Sequence, residues 1–153
     1  MTAERSTFVP WDRPSPLLDA IGGFARHAAD PLRAGFTVDG PKSNARGFLH
    51  GGVIAAIGDV VIGHALAVQT DPPAHLVTVN LSCDLLGTAR EGEWVDILVT
   101  PTRVGRRLAA GTATFTSGRV IANVTALFMP VGPVSTTPGQ AGAAADAAAM
   151  PSR

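Results

Sequence analysis

The sequence predicts a single α+β domain in which an antiparallel β-sheet wraps around one long, buried α-helix. The helix is predicted at 51–69, where the chain is apolar over a length too great for a strand and is rich in Ala and Leu. Four β-rich segments follow it. The first of them, 75–86, alternates apolar and polar residues, which is typical of a strand with one buried face. The 153 residues are enough for one core and leave little room for a second.

The predicted helix carries one formal charge, Asp59, near its centre. A helix that is apolar on nearly every side must be enclosed by protein, and a carboxylate there needs a hydrogen-bond partner or a chemical role. The segment is also long enough to suggest a membrane span. An acidic residue at the centre of a membrane helix costs about 2.5 to 3.5 kcal/mol, however, so we expect the helix inside a protein core.

The strand predicted at 75–86 should have one apolar face (Val77, Val79, Leu81, Cys83, Leu85) and one polar face (Thr78, Asn80, Ser82, Asp84). The remaining strands are predicted from β-rich runs between short turns. Further strands are predicted at 93–104, 107–117 and 120–129, and an earlier one at 32–38. The short connections after the helix predict an antiparallel meander.

The two ends of the chain are predicted to lie outside the domain, which spans 31–130. Residues 1–30 contain three prolines and are predicted to form an arm or lid with a short helix. Residues 131–153 are a low-complexity mixture of Pro, Gly, Ala and Ser and are predicted to be disordered.

The charge balance and the cysteine content argue against several classes of protein. Basic and acidic residues number 12 each, so no global field draws the chain to nucleic acid or to an anionic membrane. Cys83 is the single cysteine and the first residues lack a signal-peptide core, so a reducing cytoplasm is the expected location. No His, Cys or carboxylate cluster has the spacing of metal ligands, and we expect neither a metal nor another cofactor.

Two features of the helix segment suggest chemistry. His50-Gly51-Gly52 lies where the helix begins, and the unpaired amides of a first helical turn suit the oxyanion that forms when a thioester or ester carbonyl is attacked. The glycines are equally expected if they only allow tight packing. Asp59 is a candidate general base or nucleophile, and a buried carboxylate satisfied by a hydrogen bond is the alternative.

The spacing of these two features predicts a shared site. Gly51 and Asp59 are eight residues apart, which a helix separates by about 12 Å. One carbonyl therefore cannot contact both groups of one chain. If both act on one substrate, the Gly51 amide and Asp59 come from different chains across a two-fold axis. This predicts at least a dimer with two identical sites.

Asn44 and Gly47, followed by His50-Gly51-Gly52, then by six further residues and Asp59, form a spaced motif. The motif resembles the signature of the hotdog-fold acyl-CoA thioesterases of the phenylacetate-pathway type, in the 4-hydroxybenzoyl-CoA thioesterase superfamily. The resemblance extends from about Leu32 to Met129 and includes the order of the helix and the strands. It implies a hotdog fold for residues 31–130.

The resemblance implies roles for five positions. Asp59 matches the carboxylate that activates water or attacks the thioester, and the Gly51 amide matches the oxyanion donor. Asn44 matches a polar residue that positions water or the carbonyl from the subunit opposite the acid. Thr78 matches a hydroxyl that helps to hold the water in some members, and His50 matches a histidine with an orienting role.

The family also binds coenzyme A along the strand 75–86 and the next hairpin. The candidate contacts here are Asn80, Arg103, Gly105, Arg106 and Arg107. Three arginines around a glycine suit phosphate groups, although a solvated basic turn is favoured on spacing alone.

Two positions near the acid depart from the family or have no role in it. Gly63 stands where some members carry a hydroxyl. His64 lies about 140° around the helix from Asp59, and we expect it to be a core histidine.

The predicted function is hydrolysis of acyl-CoA thioesters to free acid and CoA by a homodimer, assembled further as a dimer of dimers. The alternatives are the hydratase or dehydratase branch of the fold and a noncatalytic acyl-CoA-binding protein or sensor, which would not need Asp59. The identity of the acyl group stays open, because the apolar residues expected around it suit aromatic and aliphatic groups alike.

Overall fold

The computed structural model describes residues 5–13 and 15–132. The helices are α1 (Pro16–Ala20) and α2 (Gly51–Ala67), with 3-10 turns at Arg5–Thr7 and Gly40–Lys42. The strands are β1 (Phe8–Pro10), β2 (Ala25–His27), β3 (Arg33–Thr37), β4 (His75–Leu85), β5 (Trp94–Val104), β6 (Ala109–Ser117) and β7 (Arg119–Val131). The long helix and the five longer strands begin and end within two residues of their predicted limits. The predicted disordered tail lies outside the described residues, apart from its first two.

All seven strands form one antiparallel sheet in the order β1-β2-β3-β5-β6-β7-β4. Strands β5, β6 and β7 form the predicted meander. β4 departs from it, because it pairs with β7 and not with β5, whose other side is occupied by β3. β4 is therefore an edge strand of the described sheet.

Helix α2 packs on one face of the sheet against β4, β5, β6 and β7. Two glycines permit the close approach: a Cβ atom at Gly58 would lie 2.8 Å from Val124 Cγ1, and one at Gly111 would lie 3.2 Å from Ile62 Cγ2. The side of α2 toward the sheet is fully buried, as predicted. No helix in the described ranges is long and apolar enough to cross a membrane.

The other side of α2 is open. Ala55, Ala56, Asp59, Val60 and Gly63 are only half-buried. We predicted that protein would enclose the helix on all sides. Within a single chain, the sheet covers one side only.

The segment before β3 belongs to the domain. Strands β1 and β2 extend the sheet, and Leu18 and Phe24 are 7% and 5% exposed within the hydrophobic core. Trp11 stacks on Phe24 with 4.7 Å between ring centroids. The prediction that this segment lies outside the core is wrong for these residues, because strands of three residues carry no detectable periodicity.

A register shift in β4 changes which residues face the helix. The shift lies between Thr78 and Asn80, so Val79 forms a bulge. Leu76 and Thr78 face α2 before the bulge, whereas Leu81 and Cys83 pack on the core after it. Val79 is 50% exposed and Val77 is 48% exposed. The predicted division of this strand into one apolar and one polar face is therefore wrong.

Candidate active site

The first turn of α2 presents one free backbone amide. The His50 imidazole Nδ1 accepts a hydrogen bond from the Gly52 N–H at 2.9 Å, and the His50 carbonyl accepts from Val53 and Ile54 at 3.0 and 3.3 Å. Within the described residues, the Gly51 N–H has no acceptor. It lies at the positive end of the helix dipole and is available to an oxyanion.

Packing also favours glycine at this turn. A Cβ atom at Gly51 would lie 2.6 Å from Leu85 Cδ1 of β4, and one at Gly52 would lie 3.1 Å from His50 Nδ1. The two explanations of the glycine pair, tight packing and an accessible amide, therefore apply together.

Asn44 organises the turn that precedes α2. Its Oδ1 accepts hydrogen bonds from the N–H groups of Arg46 and Phe48 at 2.9 and 3.3 Å. Gly47 closes the turn with a φ of 73°, which glycine adopts without strain. The Asn44 Nδ2 group makes no hydrogen bond to the described residues and remains a free donor.

Lys42 is a functional candidate that the sequence reasoning missed. Its side chain is 0% exposed, and its Nζ donates to Asp39 Oδ1 and Oδ2 at 3.0 and 2.9 Å. The Lys42 carbonyl accepts the His50 N–H at 2.9 Å. The ion pair with Asp39 therefore fixes Lys42, and Lys42 in turn positions His50, the residue before α2. In the sequence, Lys42 looks the same as a lysine in a solvent-exposed loop, and no sequence pattern predicts that it is buried.

Asp59 and Thr78 meet in the structure. The Thr78 hydroxyl donates to Asp59 Oδ1 at 2.7 Å, which orients the carboxylate and leaves Oδ2 free of hydrogen bonds to the described residues. The bulge after Thr78 makes this contact possible, because it turns the hydroxyl toward the helix. A charge-assisted hydrogen bond of this length is a strong one.

A cavity of about 380 Å³ lies beside this pair. Its walls come from α2, from β4 and from the segment that contains α1 (Trp11, Arg13, Ser15, Leu18, Asp59, Val60, Gly63, His64, Ala67, Ala74, His75, Leu76, Thr78, Phe128). Asp59 is the one carboxylate among these described lining residues. No group of three or more His, Cys, Asp or Glu side chains within 5–13 and 15–132 is arranged to hold a metal ion.

His64 lies in the same cavity wall. Burial lowers the pKa of His64, and the positive charges of Arg13 and Arg26 lower it further, while Asp12 opposes them. Its Nδ1 is buried without a hydrogen-bond partner among the described residues, and its ring lies 5.0 Å from that of Trp11. His64 is therefore a neutral, half-buried histidine that faces the cavity, whereas we expected it in the core.

The remaining candidate residues lie away from the Asp59 carboxylate. Asn80 is exposed on the outer face of β4, opposite the face that carries Thr78. The hairpin between β5 and β6 carries the predicted arginines at the same level of the sheet as Thr78 (Thr78 pairs with Phe128, Phe128 with Ala109, Ala109 with Val104). Three strand spacings, about 14 Å, separate that hairpin from Thr78.

A sheet that wraps around one helix, with the acid on the helix itself, is the arrangement that the hotdog resemblance required. Similarity to known proteins identifies the family. Residues 46–120 match the Thioesterase superfamily. A Pseudomonas aeruginosa protein whose name assigns it provisionally to the esterases is 36% identical over 124 residues, which cover 79% of this chain and 92% of the relative. The chain belongs to the thioesterase superfamily, and the family predicted from the motif is confirmed.

Solved structures agree with the fold. Zebrafish thioesterase superfamily member 2 is 25% identical with a TM-score of 0.67, and the match covers 79% of this chain and 89% of that one. A Streptococcus mutans protein, solved with acetyl-CoA bound, is 24% identical with a TM-score of 0.60 and coverage of 65% and 80%. The predicted hotdog fold is confirmed.

Proposed function

We propose that this protein hydrolyses acyl-CoA thioesters to the free acid and CoA, with Asp59 as the residue that initiates attack. The observation that carries the proposal is the Asp59 carboxylate, oriented by Thr78 at the wall of a cavity that has apolar and polar lining residues. Membership of the thioesterase superfamily supports thioester hydrolysis in general, and the acetyl-CoA bound to the Streptococcus mutans protein supports the choice of a CoA thioester.

Asp59 has two possible routes, and both use its free oxygen. As a general base, it takes a proton from water while the water oxygen bonds to the thioester carbonyl carbon. The C–S bond then breaks, and the proton passes from Asp59 to the departing thiolate. As a nucleophile, the carboxylate itself bonds to the carbonyl carbon and expels the thiolate, and water then cleaves the mixed anhydride.

We propose that the Gly51 N–H stabilises the oxyanion in the site of the partner subunit. Gly51 and Asp59 of one chain are separated by about 12 Å along the helix axis. A carbonyl group and one hydrogen bond to its oxygen together span about 4 Å, so one carbonyl cannot contact both residues of the same chain. Asn44, in the turn beside Gly51, would present its free Nδ2 to the same carbonyl or to water. His50 orients this turn through its bond to Gly52.

Two exposed surfaces support a homodimer. β4 has one unpaired side in the described sheet and exposes Val77, Val79 and Leu85. The half-buried stripe of α2 around Asp59 lies beside it. A second copy related by a two-fold axis would cover both surfaces and would bring each Gly51 toward the other chain's Asp59. The predicted tetramer remains a proposal of the same kind.

Mixed dimers test the shared site. One chain carries Asp59→Asn, and the other carries Gly51→Pro together with Leu85→Ala, which removes the side chain that a residue at 51 would strike. Each homodimer should lose activity by about 10²- to 10⁴-fold in kcat/KM, measured as CoA thiol release. The mixed dimer retains one intact site and should regain about half of the wild-type rate.

Two controls accompany this experiment. Asp84→Asn removes an exposed carboxylate from the outer face of the same strand as Thr78 and should keep wild-type activity. Leu85→Ala alone should also remain active. Full activity in Asp59→Asn would exclude Asp59 as the residue that initiates attack. A wild-type protein that releases no CoA above the uncatalysed rate would leave acyl-CoA binding without catalysis as the function. Verified mixed dimers with no recovered activity would exclude sites shared between chains.

We propose that the arginine hairpin holds the phosphates of coenzyme A. Arg103, Arg106 and Arg107 are exposed around Gly105, at the level of the sheet where Asp59 lies. The double change Arg106→Glu and Arg107→Glu should raise KM for acyl-CoA about 10-fold or more. Hydrolysis of a short thioester without the nucleotide should be unchanged. Equal losses on both substrates would show damage to the fold.

A further inference from the structure

The cavity beside Asp59 differs between its two ends. Asp59 and Thr78 form one end. Along α2 the wall continues through Gly63 and His64 to Ala67, and His64 lies about 7.5 Å further along the helix axis than Asp59. There the segment before and at the start of α1 adds Trp11, Arg13 and Ser15 to the lining. The end near Asp59 is suited to the thioester, and the far end is where the acyl group would terminate.

The far end carries polar groups without hydrogen-bond partners among the described residues. Trp11 Nε1 is buried and has no partner among the described residues, and the same is true of His64 Nδ1. The Ser15 side chain makes no capping bond to α1. The Arg13 guanidinium makes no hydrogen bond or ion pair within the described part of the chain. A buried donor without an acceptor costs about 1 to 3 kcal/mol, so the Trp11 N–H would gain from an oxygen-bearing ligand. Arg13 is exposed and solvated, and it would contribute its charge to such a ligand.

The charge at this end is positive. Arg13 lines the cavity, and the positive charges of Arg13 and Arg26 both act at His64. Asp12, the nearby carboxylate, is bound to Arg26 at 2.8 Å. Within the described lining, the one carboxylate is Asp59 at the opposite end. An acyl group that ends in a carboxylate matches this distribution better than an alkyl group.

On the basis of the proposed thioesterase activity, we infer that the substrate is a CoA thioester of a dicarboxylic acid, whose free carboxylate binds Arg13, Trp11 and His64. Arg13 supplies the charge, and the Trp11 N–H, the Ser15 hydroxyl and a His64 protonated on Nδ1 supply neutral donors. Trp11 Nε1 and His64 Nδ1 are enclosed by their neighbours, so the two rings must turn slightly when the carboxylate enters. Side-chain changes of that size commonly accompany binding.

Three CoA esters of matched length test this inference on the full chain. Adipyl-CoA carries the carboxylate, 6-methylheptanoyl-CoA replaces it with an uncharged group of the same shape, and 6-hydroxyhexanoyl-CoA offers a hydrogen bond without charge. We expect kcat/KM for adipyl-CoA to exceed that for either neutral ester by about 10-fold or more. Arg13→Gln should reduce this ratio to near one, and Trp11→Phe, which keeps a ring, should reduce it partly.

Arg119→Gln is the matched control, because Arg119 is an exposed arginine at the opposite end of the sheet and should leave the ratio unchanged. Equal rates for adipyl-CoA and 6-methylheptanoyl-CoA would overturn the inference. Equal rates for adipyl-CoA and 6-hydroxyhexanoyl-CoA would overturn the role of charge.

If none of the esters is hydrolysed, the proposed function fails, and calorimetric binding of the same three esters tests the subsite separately. Tighter binding of adipyl-CoA, lost in Arg13→Gln, would uphold the subsite. Equal binding of the three esters would refute it.

Discussion

The start of α2 and its middle carry the two groups proposed to act on the thioester, and their surroundings differ. At the start, the amides of Gly52, Val53 and Ile54 are all paired through His50, and the Gly51 N–H is the free one. Around Asp59, the helix side is half-open, and further along the same cavity Trp11 and His64 have nitrogen atoms without partners among the described residues. Contacts within one chain therefore hold the start of α2, whereas the cavity side of α2 from Asp59 to His64, called the acid end below, stays partly open.

The difference fits the roles proposed for the two regions. An oxyanion donor must be in place before the charge forms, so its amide has to be held by contacts within the chain. The acid end has to admit a substrate and, in the proposed dimer, a second subunit. Changes at the start of α2 should therefore lower stability and activity together, whereas changes at the acid end should affect activity with little effect on stability.

The largest effect on stability is expected from the ion pair beneath the start of α2. Asp39→Ala leaves the fully buried Lys42 ammonium without its carboxylate, which should lower the free energy of unfolding by about 3 kcal/mol. Lys42→Met should cost far less, because the Asp39 side chain is 50% exposed and water can solvate it. Urea unfolding followed by circular dichroism measures both.

The ion pair also bears on activity, because the Lys42 carbonyl holds the His50 N–H. In Asp39→Ala, kcat should therefore fall along with stability. If Asp39→Ala is as stable as Lys42→Met, the Lys42 ammonium reaches water. The start of α2 would then depend less on internal contacts than the comparison with the Asp59 region assumes.

The elements of the fold were predictable because their signals are local. The apolar run of α2 and the alternation in β4 depend on neighbouring residues alone, and the structure contains both elements. The bulge at Val79 interrupts the alternation. The position of β4 beside β7 depends on pairs such as Leu85 with Ala122 and His75 with Val131, which are 37 and 56 residues apart and which no local pattern encodes. The three-residue strands β1 and β2 are too short to show a period.

The site divides in the same way. The separation of Gly51 and Asp59 was predictable because one helix fixes it, and Asn44 and Thr78 became candidates only through the family motif. The contact of Thr78 with Asp59 depends on the bulge at Val79, and the alternation of residues along β4 predicts Thr78 on the other face. Trp11 and Arg13 reach the cavity through tertiary packing of a proline-broken segment that has no motif.

The next effect in size concerns the acid end and should change activity alone. Thr78→Val keeps the shape of the side chain and removes the hydroxyl that donates to Asp59 at 2.7 Å. We expect kcat/KM to fall about 10-fold, because the carboxylate loses a charge-assisted hydrogen bond that orients it. Thr78→Ser retains the hydroxyl and should restore most of the activity.

Stability should change little in either Thr78 variant, since Thr78 is exposed in the single chain. The measurements are thioester hydrolysis and thermal unfolding of the same preparations. If Thr78→Ser is as slow as Thr78→Val, the hydroxyl does not orient Asp59. If both variants unfold readily, the acid end is as much a part of the fold as the start of α2.

The smallest effect is a pH dependence of stability from His64. Burial and the nearby positive charges of Arg13 and Arg26 hold the pKa of His64 below its ordinary value of 6.5, so the folded chain resists a proton that the unfolded chain accepts. The contribution of His64 to stability is therefore fully present above pH 6.5 and declines as the pH falls toward the lowered pKa. His64→Gln should flatten the dependence of the unfolding free energy on pH below neutrality, whereas His75→Gln, which removes an exposed histidine, should not.

Urea unfolding between pH 5 and pH 8, a window about one unit or more on either side of an ordinary histidine pKa, measures the slope. A slope that survives in His64→Gln would mean that other groups cause it and that the acid end contributes no buried neutral histidine to stability.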